Sequence, residues 1–122
     1  RAEEEAEQAF LTYRKTLLAA IKEVESAIYG YVGAVQQRDS LIASVRYHSD
    51  AFEQSRVRYV QGLSNFLDVL DSQRSLTTSQ QSLADAETDL ELETINLYSA
   101  VGLSVEDVER YADQEGIALV NG

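Results

Sequence analysis

The chain has 122 residues, enough for one domain, with a formal net charge of −11 and no proline, cysteine, methionine or tryptophan. The lack of cysteine excludes a disulfide scaffold and a thiolate site, and a single histidine, His48, argues against a histidine metal cluster or a Ser-His-Asp triad. Arg74 and Arg110 are the only basic residues after Arg58, and this acidic second half disfavours nucleic acid and anionic membrane surfaces as partners.

The first predicted element is a long helix over residues 8–60, with apolar side chains at alternating steps of three and four. Nothing in this segment breaks a helix except Gly30 and Gly33, each of which costs about 1 kcal/mol relative to alanine. We interpret both glycines as points of close helix packing or a slight kink, with a hinge as the alternative. The main apolar stripe, interrupted at Arg38, His48 and Ser55, contains Phe10, Tyr13, Leu17, Ala20, Val24, Ala27, Tyr31, Ala34, Leu41, Val45, Phe52 and Tyr59.

A second apolar stripe runs beside the first at intervals of seven residues, through Ile21, Ile28, Val35 and Ile42. A helix with two adjacent apolar stripes has neighbours on two sides. The sustained seven-residue repeat also predicts the left-handed supercoil of a coiled coil. We therefore expect this helix to pack against more than one other helix.

The pattern stops at "YVQGLSNF", where a turn is predicted over residues 61–65. Gly62 suits a left-handed helix C-cap, and either Ser64 or Asn65 suits the N-cap of the next helix. A second helix is predicted over residues 66–101. Its seam repeats every seven residues at Val69, Leu76, Leu83, Leu90 and Leu97, each followed three positions later by a mostly small residue: Ser72, Ser79, Ala86, Glu93 and Ala100.

Gly102 is expected to end the second helix, and a short third helix is predicted over residues 104–114 with Ser104 as its N-cap. The whole chain, residues 1–122, is then one all-α domain in which the two long helices form an antiparallel coiled-coil hairpin. One hairpin has too few neighbours to bury both stripes of the first helix and the seam of the second. The sequence therefore predicts assembly with further helices.

Asp68 and Asp71 lie three residues apart on one face of the second helix, close to the turn. Such a pair suits a solvated face, acid/base chemistry or a hard cation, and the residues alone leave these open. His48 has no second ligand nearby and is interpreted as a packing or surface residue. Arg56 and Arg58 are expected to pair with acidic residues across the hairpin. We expect no enzyme activity, no metal and no cofactor, because the sequence does not supply the necessary ligands.

Three segments together resemble the outer-membrane efflux protein family, the TolC-like channel-tunnels. They are "RYVQGLSNFLDVLDSQRSL", the later "LYSAVG" and the upstream "YRKTLLAAIKEVESAI", and the resemblance covers residues 8–103. The Ala-x-x-Glu-Val-Glu version in the upstream segment is most similar to the channels that serve resistance-nodulation-division pumps.

The resemblance implies a trimer that crosses the outer membrane as a shared β-barrel and continues through the periplasm as an α-helical barrel. This chain would be an excised hairpin of the second internal repeat, located on the periplasmic side of the outer membrane. Its tip, with Gly62 and Leu63, would be the channel entrance. A periplasmic adaptor, and through it an inner-membrane pump, would be its partners.

The resemblance also implies roles for particular side chains. Asp68 and Asp71 match acidic positions that constrict and charge the closed entrance, and Tyr59 matches a tyrosine that holds neighbouring tip helices closed. Ser64 departs from the pattern, since some relatives carry a basic residue there that locks the closed state. The alternative reading is a coiled-coil interaction module, such as the hairpin of a periplasmic adaptor or another scaffold, although an adaptor hairpin would be flanked by β-rich segments.

Overall fold

A computed structural model of the protein describes residues 1–114, which form two α-helices. Helix α1 spans Ala2–Val60 and helix α2 spans Phe66–Gln114, with residues 61–65 between them. The predicted all-α helical hairpin is confirmed, and the part of the chain that the structure describes contains no strand. None of the described helices combines the length and hydropathy that a membrane span requires.

Helix α1 begins before residue 8, where the sequence pattern placed its start. Its first turn carries Glu3, Glu4 and Glu5. Negative side chains at a helix N-terminus are stabilised by the unpaired backbone N–H groups and the helix dipole. This charge pattern extends the helix beyond the first residue of the apolar stripe.

The chain divides into two compact units. One unit consists of residues 32–92, and the other combines residues 1–31 with the part of the chain from Glu93 onward. In both units a segment of α1 packs against a segment of α2.

In the unit of residues 32–92, the predicted seam lies between the two helix segments. Val69, Ser79 and Ala86 are buried, with relative exposures of 6%, 7% and 4%. The polar residues that interrupt the main stripe, including His48, are also partly buried. They therefore occupy seam positions like the apolar residues around them. The other partly buried seam residues are Ala34, Arg38, Leu41, Val45, Phe52, Ser55, Ser72, Leu76, Leu83 and Leu90.

In the unit that contains both ends of the described chain, the seam is built around two buried alanines, Ala27 and Ala112. Phe10 is exposed, so the buried stripe begins after it, at Tyr13. Gly30 lies directly against Glu93, because a Cβ atom added to it would come 2.6 Å from Glu93 Oε2. A side chain at residue 30 would therefore require only the flexible end of Glu93 to move, whereas a Cβ added to Gly33 would meet no atom within 4 Å.

Helix α2 does not end at Gly102, contrary to the sequence prediction, and the expected third helix is its continuation. Ser104 is no N-cap, because it is buried and its hydroxyl donates to the Ala20 carbonyl of α1 at 3.4 Å. Tyr111 donates from its hydroxyl to the Ala9 carbonyl at 2.7 Å, and its ring lies 5.4 Å from that of Tyr13. This packing offsets the cost of about 1 kcal/mol for one glycine within a helix.

Substituting Gly102 and Gly62 with alanine is expected to have opposite effects on the free energy of unfolding. Gly102→Ala should stabilise the chain by about 0.5–1 kcal/mol, because alanine favours a continuous helix. Gly62→Ala should destabilise it by about 1–2 kcal/mol, because Gly62 has a φ of +76°. Chemical denaturation followed by circular dichroism measures both, and a destabilising Gly102→Ala would contradict the continuity of α2.

Candidate functional site

The tip of the hairpin begins with a C-cap on α1. The Gly62 N–H donates to the Tyr59 carbonyl at 3.0 Å, and the Leu63 N–H donates to the Arg58 carbonyl at 2.8 Å. These two bonds, with Gly62 in the left-handed region, form a Schellman motif. The predicted C-cap role of Gly62 is confirmed.

The N-cap of α2 is Asn65, which resolves the choice that the sequence left between Asn65 and Ser64. The Asn65 Oδ1 atom accepts a hydrogen bond from the Asp68 N–H at 3.1 Å, as an N-cap side chain does. This bond holds Asp68 in the first turn of α2, where the helix dipole favours a negative charge.

Asp68, Asp71 and Ser64 line one open polar groove of about 380 Å³ between the ends of the two helices. The structure thus brings together three of the residues that the sequence singled out. From α1 the groove receives Arg58, which makes it a site of mixed charge. Its remaining lining residues are Ala51, Gln54, Ser55 and Ser72.

The charged groups of this groove are not neutralised by ion pairs. Among residues 1–114, neither Asp68, Asp71 nor Arg58 has an oppositely charged partner within 4 Å. The predicted pairing of Arg56 and Arg58 with acids across the hairpin is therefore wrong. Arg56 instead binds Glu53 on its own helix, at 2.8 Å. The hydrogen bond and charge of Arg56 lower the pKa of Glu53, but both side chains face solvent and the pair contributes little to stability.

An exposed apolar surface lies beside the polar groove. The Tyr59 and Phe66 rings pack at a centroid distance of 5.3 Å across the turn, and both side chains remain about half exposed. Leu63 lies at the tip with its side chain exposed. We call this surface the apolar tip; it consists of Tyr59, Val60, Leu63, Phe66, Leu67 and Leu70.

Sequence reasoning did not single out Ala51 or Gln54, named Ser55 and Ser72 only by their place in the apolar pattern, and assigned Arg58 a different role. The signal for Ser55 was present, because it interrupts the apolar stripe one turn before the tip. What the groove offers chemically is two carboxylates, one guanidinium, the Gln54 amide and the Ser72 hydroxyl, because the hydroxyls of Ser55 and Ser64 are buried. Within residues 1–114, no group of three or more His, Asp or Glu side chains is placed to hold a metal ion.

The comparisons with known proteins agree on one family. The family model described as "Outer membrane efflux protein" matches residues 1–103. The chain is 35% identical over 101 residues to the pyoverdine export outer membrane protein OpmQ of Pseudomonas putida, covering 83% of this chain and 22% of that protein. It is 31% identical over 106 residues to the cation efflux system protein CusC of Escherichia coli, with the same two coverages.

A further relative covers more of the chain. Nodulation protein T of Rhizobium leguminosarum is 29% identical over 119 residues, covering 96% of this chain and 25% of that protein. The chain thus spans about a quarter of the length of the curated relatives that it matches. No solved structure gives a significant match.

The Asn65 cap is expected to contribute measurably to the stability of the tip. Asn65→Ala should lower the free energy of unfolding by about 1 kcal/mol, because the Asp68 N–H loses its acceptor. Asn65→Asp should keep most of the stability, since a carboxylate caps equally well. Chemical denaturation of both variants tests this, and an equal loss in the two would show that the side-chain acceptor is not what matters.

Proposed function

The chain belongs to the outer membrane efflux protein family, and we propose that it forms part of the periplasmic wall of a trimeric efflux channel, with residues 61–65 at the entrance. The family places it in an outer-membrane component, with this helical segment on the periplasmic side. The function is passive conduction, without catalysis by this segment. Membership of the channel family disfavours the alternative of an adaptor hairpin.

The observation that carries this proposal is the exposed second stripe of α1. Ile21, Ile28 and Ile42 have relative exposures of 54%, 45% and 37%. Leu18 and Val32 are also exposed and fall on the same face by their spacing in the helix. Val35, the remaining member of the stripe, is partly buried, but neither compact unit covers the others, although burying one such side chain is worth about 1.5–3 kcal/mol. Neighbouring hairpins packed side by side would cover them, and a closed ring of hairpins encloses a duct.

The acidic second half suits the surface of a water-filled duct. Asp85, Glu87, Asp89 and Glu91 on α2 are all exposed. Carboxylates that line a narrow aqueous passage create a negative potential that concentrates cations and repels anions. A water-filled duct therefore accounts for the acidic charge of the chain, whereas binding to nucleic acid or anionic lipid would be opposed by it.

At the entrance, Asp68 and Asp71 supply the charge. Each lies in the groove without an ion-pair partner in residues 1–114, so its charge is available to other chains and to mobile ions. Copies of the pair around a channel axis repel one another and attract cations. The aperture then stays narrow only where other contacts brace the helices, and Tyr59, packed on Phe66, is the candidate for that bracing.

The periplasmic adaptor is the proposed partner of the apolar tip. This surface presents several large apolar side chains at the outermost turn, where a second protein can reach them. Gly62 and Leu63 shape the backbone of that turn through the C-cap. Relatives of comparable identity are named for pyoverdine export and for cation efflux. We therefore propose that this segment serves conduction and docking and does not select the cargo.

Self-association is expected to depend on the second stripe. Ile28→Ser should raise the dissociation constant of the associated chain at least about tenfold, because the variant loses the apolar contact of one buried side chain. Gln37→Ser, nine residues after Ile28 and therefore on the opposite side of α1, is also exposed and serves as the control. Sedimentation equilibrium of the 122-residue chain measures both. A wild-type chain that stays monomeric at high concentration would contradict the proposal.

The entrance role of the aspartates is tested in the full-length channel. Changing both Asp68 and Asp71 to alanine should weaken block by multivalent cations and alter single-channel conductance, because the ring of negative charge is lost. Folding should be nearly unaffected, since exposed carboxylates contribute little to stability.

The matched control is the change of Asp85 and Asp89 to alanine, which removes the same charge outside the groove. If the Asp68 and Asp71 double variant shows wild-type conductance and cation block, these residues are ordinary surface acids. An equal effect of both double variants would assign the block to the general charge of α2 and contradict a specific entrance site.

A further inference from the structure

Two serine hydroxyls near the tip are buried without a hydrogen-bond partner. The Oγ atoms of Ser55, on α1, and of Ser64, in the turn, are both shut off from solvent and have no partner among the described residues. Other buried serines of the chain are satisfied. Ser79 donates its hydroxyl to the Leu76 carbonyl at 2.8 Å, and Ser104 donates to the Ala20 carbonyl.

The two unsatisfied hydroxyls belong to the same small region. Ser55 and Ser64 both line the polar groove, although their hydroxyl oxygens are covered. The neighbouring seam residues include the small side chains of Ala51 and Ser72, the partly buried Phe52 and the buried Val69. Further from the tip, the leucines of α2 take over the seam.

A buried hydroxyl that lacks a partner destabilises the packed state, because it has given up its hydrogen bonds to water without replacement. The small side chains of Ala51 and Ser72 add little apolar contact that would offset this loss. Parting the two helices at the tip lets solvent reach both hydroxyls through the adjoining groove. The cost of the unpaired hydroxyls is therefore present when the helices are packed and is lost when they part.

We infer that the buried, unpaired hydroxyls of Ser55 and Ser64 lower the free energy needed to part α1 from α2 at the tip. The role in opening an entrance rests on the proposed function. The lowered free energy of helix separation is a property of this hairpin and is tested on the 122-residue chain. It gives Ser64, in the turn, a function of its own in the conformational change.

The experiment compares single serine-to-alanine variants of the 122-residue chain at one protein concentration. Ser55→Ala and Ser64→Ala should each raise the midpoint of thermal unfolding by about 2–6 °C, because each removes an unsatisfied buried group. Ser49→Ala, at an exposed helical position, controls for the gain in helix propensity. Ser79→Ala removes a satisfied buried hydroxyl and should lower the midpoint instead.

Hydrogen exchange of the backbone amides of residues 52–72 locates the effect. The double variant of Ser55 and Ser64 should slow exchange there by about fivefold or more and leave exchange around Ser79 unchanged, because local opening governs the protection of these amides. The inference is overturned if both single variants gain no more than Ser49→Ala, or if exchange slows equally along both helices. Because neither measurement involves conduction, a negative result here leaves the entrance role of Asp68 and Asp71 to its own test.

Discussion

A hairpin of two helices has a single internal seam, and the rest of this chain depends on that limit. Close approach along the seam requires small side chains, and the buried apolar residues of the described chain are Ala27, Val69, Ala86 and Ala112. No large side chain in that range is fully buried. The large apolar residues consequently remain at the flanks of the seam, where only other helices can cover them. These exposed apolar flanks favour contact with further helices, and the proposed assembly rests on them.

The seven-residue period made most of the fold predictable. It placed the seam on both helices, and the loss of the pattern at "YVQGLSNF" located the turn. The break expected at Gly102 was wrong because a glycine is a local signal, whereas the period itself continues from Leu97 to Ser104 and Tyr111. Both of these residues pack on α1 and hold α2 helical through the glycine. A regular long-range period was thus a better guide than one helix-breaking residue.

The candidate site was predictable in part. The spacing of Asp68 and Asp71 fixed them on one face, and their distance from Gly62 fixed them near the tip. The groove could not be predicted, because it depends on which residues of α1 face the start of α2. For the same reason, the sequence assigned Arg58 an ion pair that the structure does not contain. The satisfaction of a hydroxyl is likewise decided by tenths of an ångström, and no pattern of residue types encodes it.

The two caps at the tip use only short-range bonds, from Arg58 to Leu63, from Tyr59 to Gly62, and from Asn65 to Asp68. The hydrogen bonds that shape the turn backbone are therefore all made by residues within or next to the turn. As a consequence, the turn is a self-contained cassette. Exchanging it for another turn of the same spacing would change the surface presented at the tip while the two long helices keep their sequence.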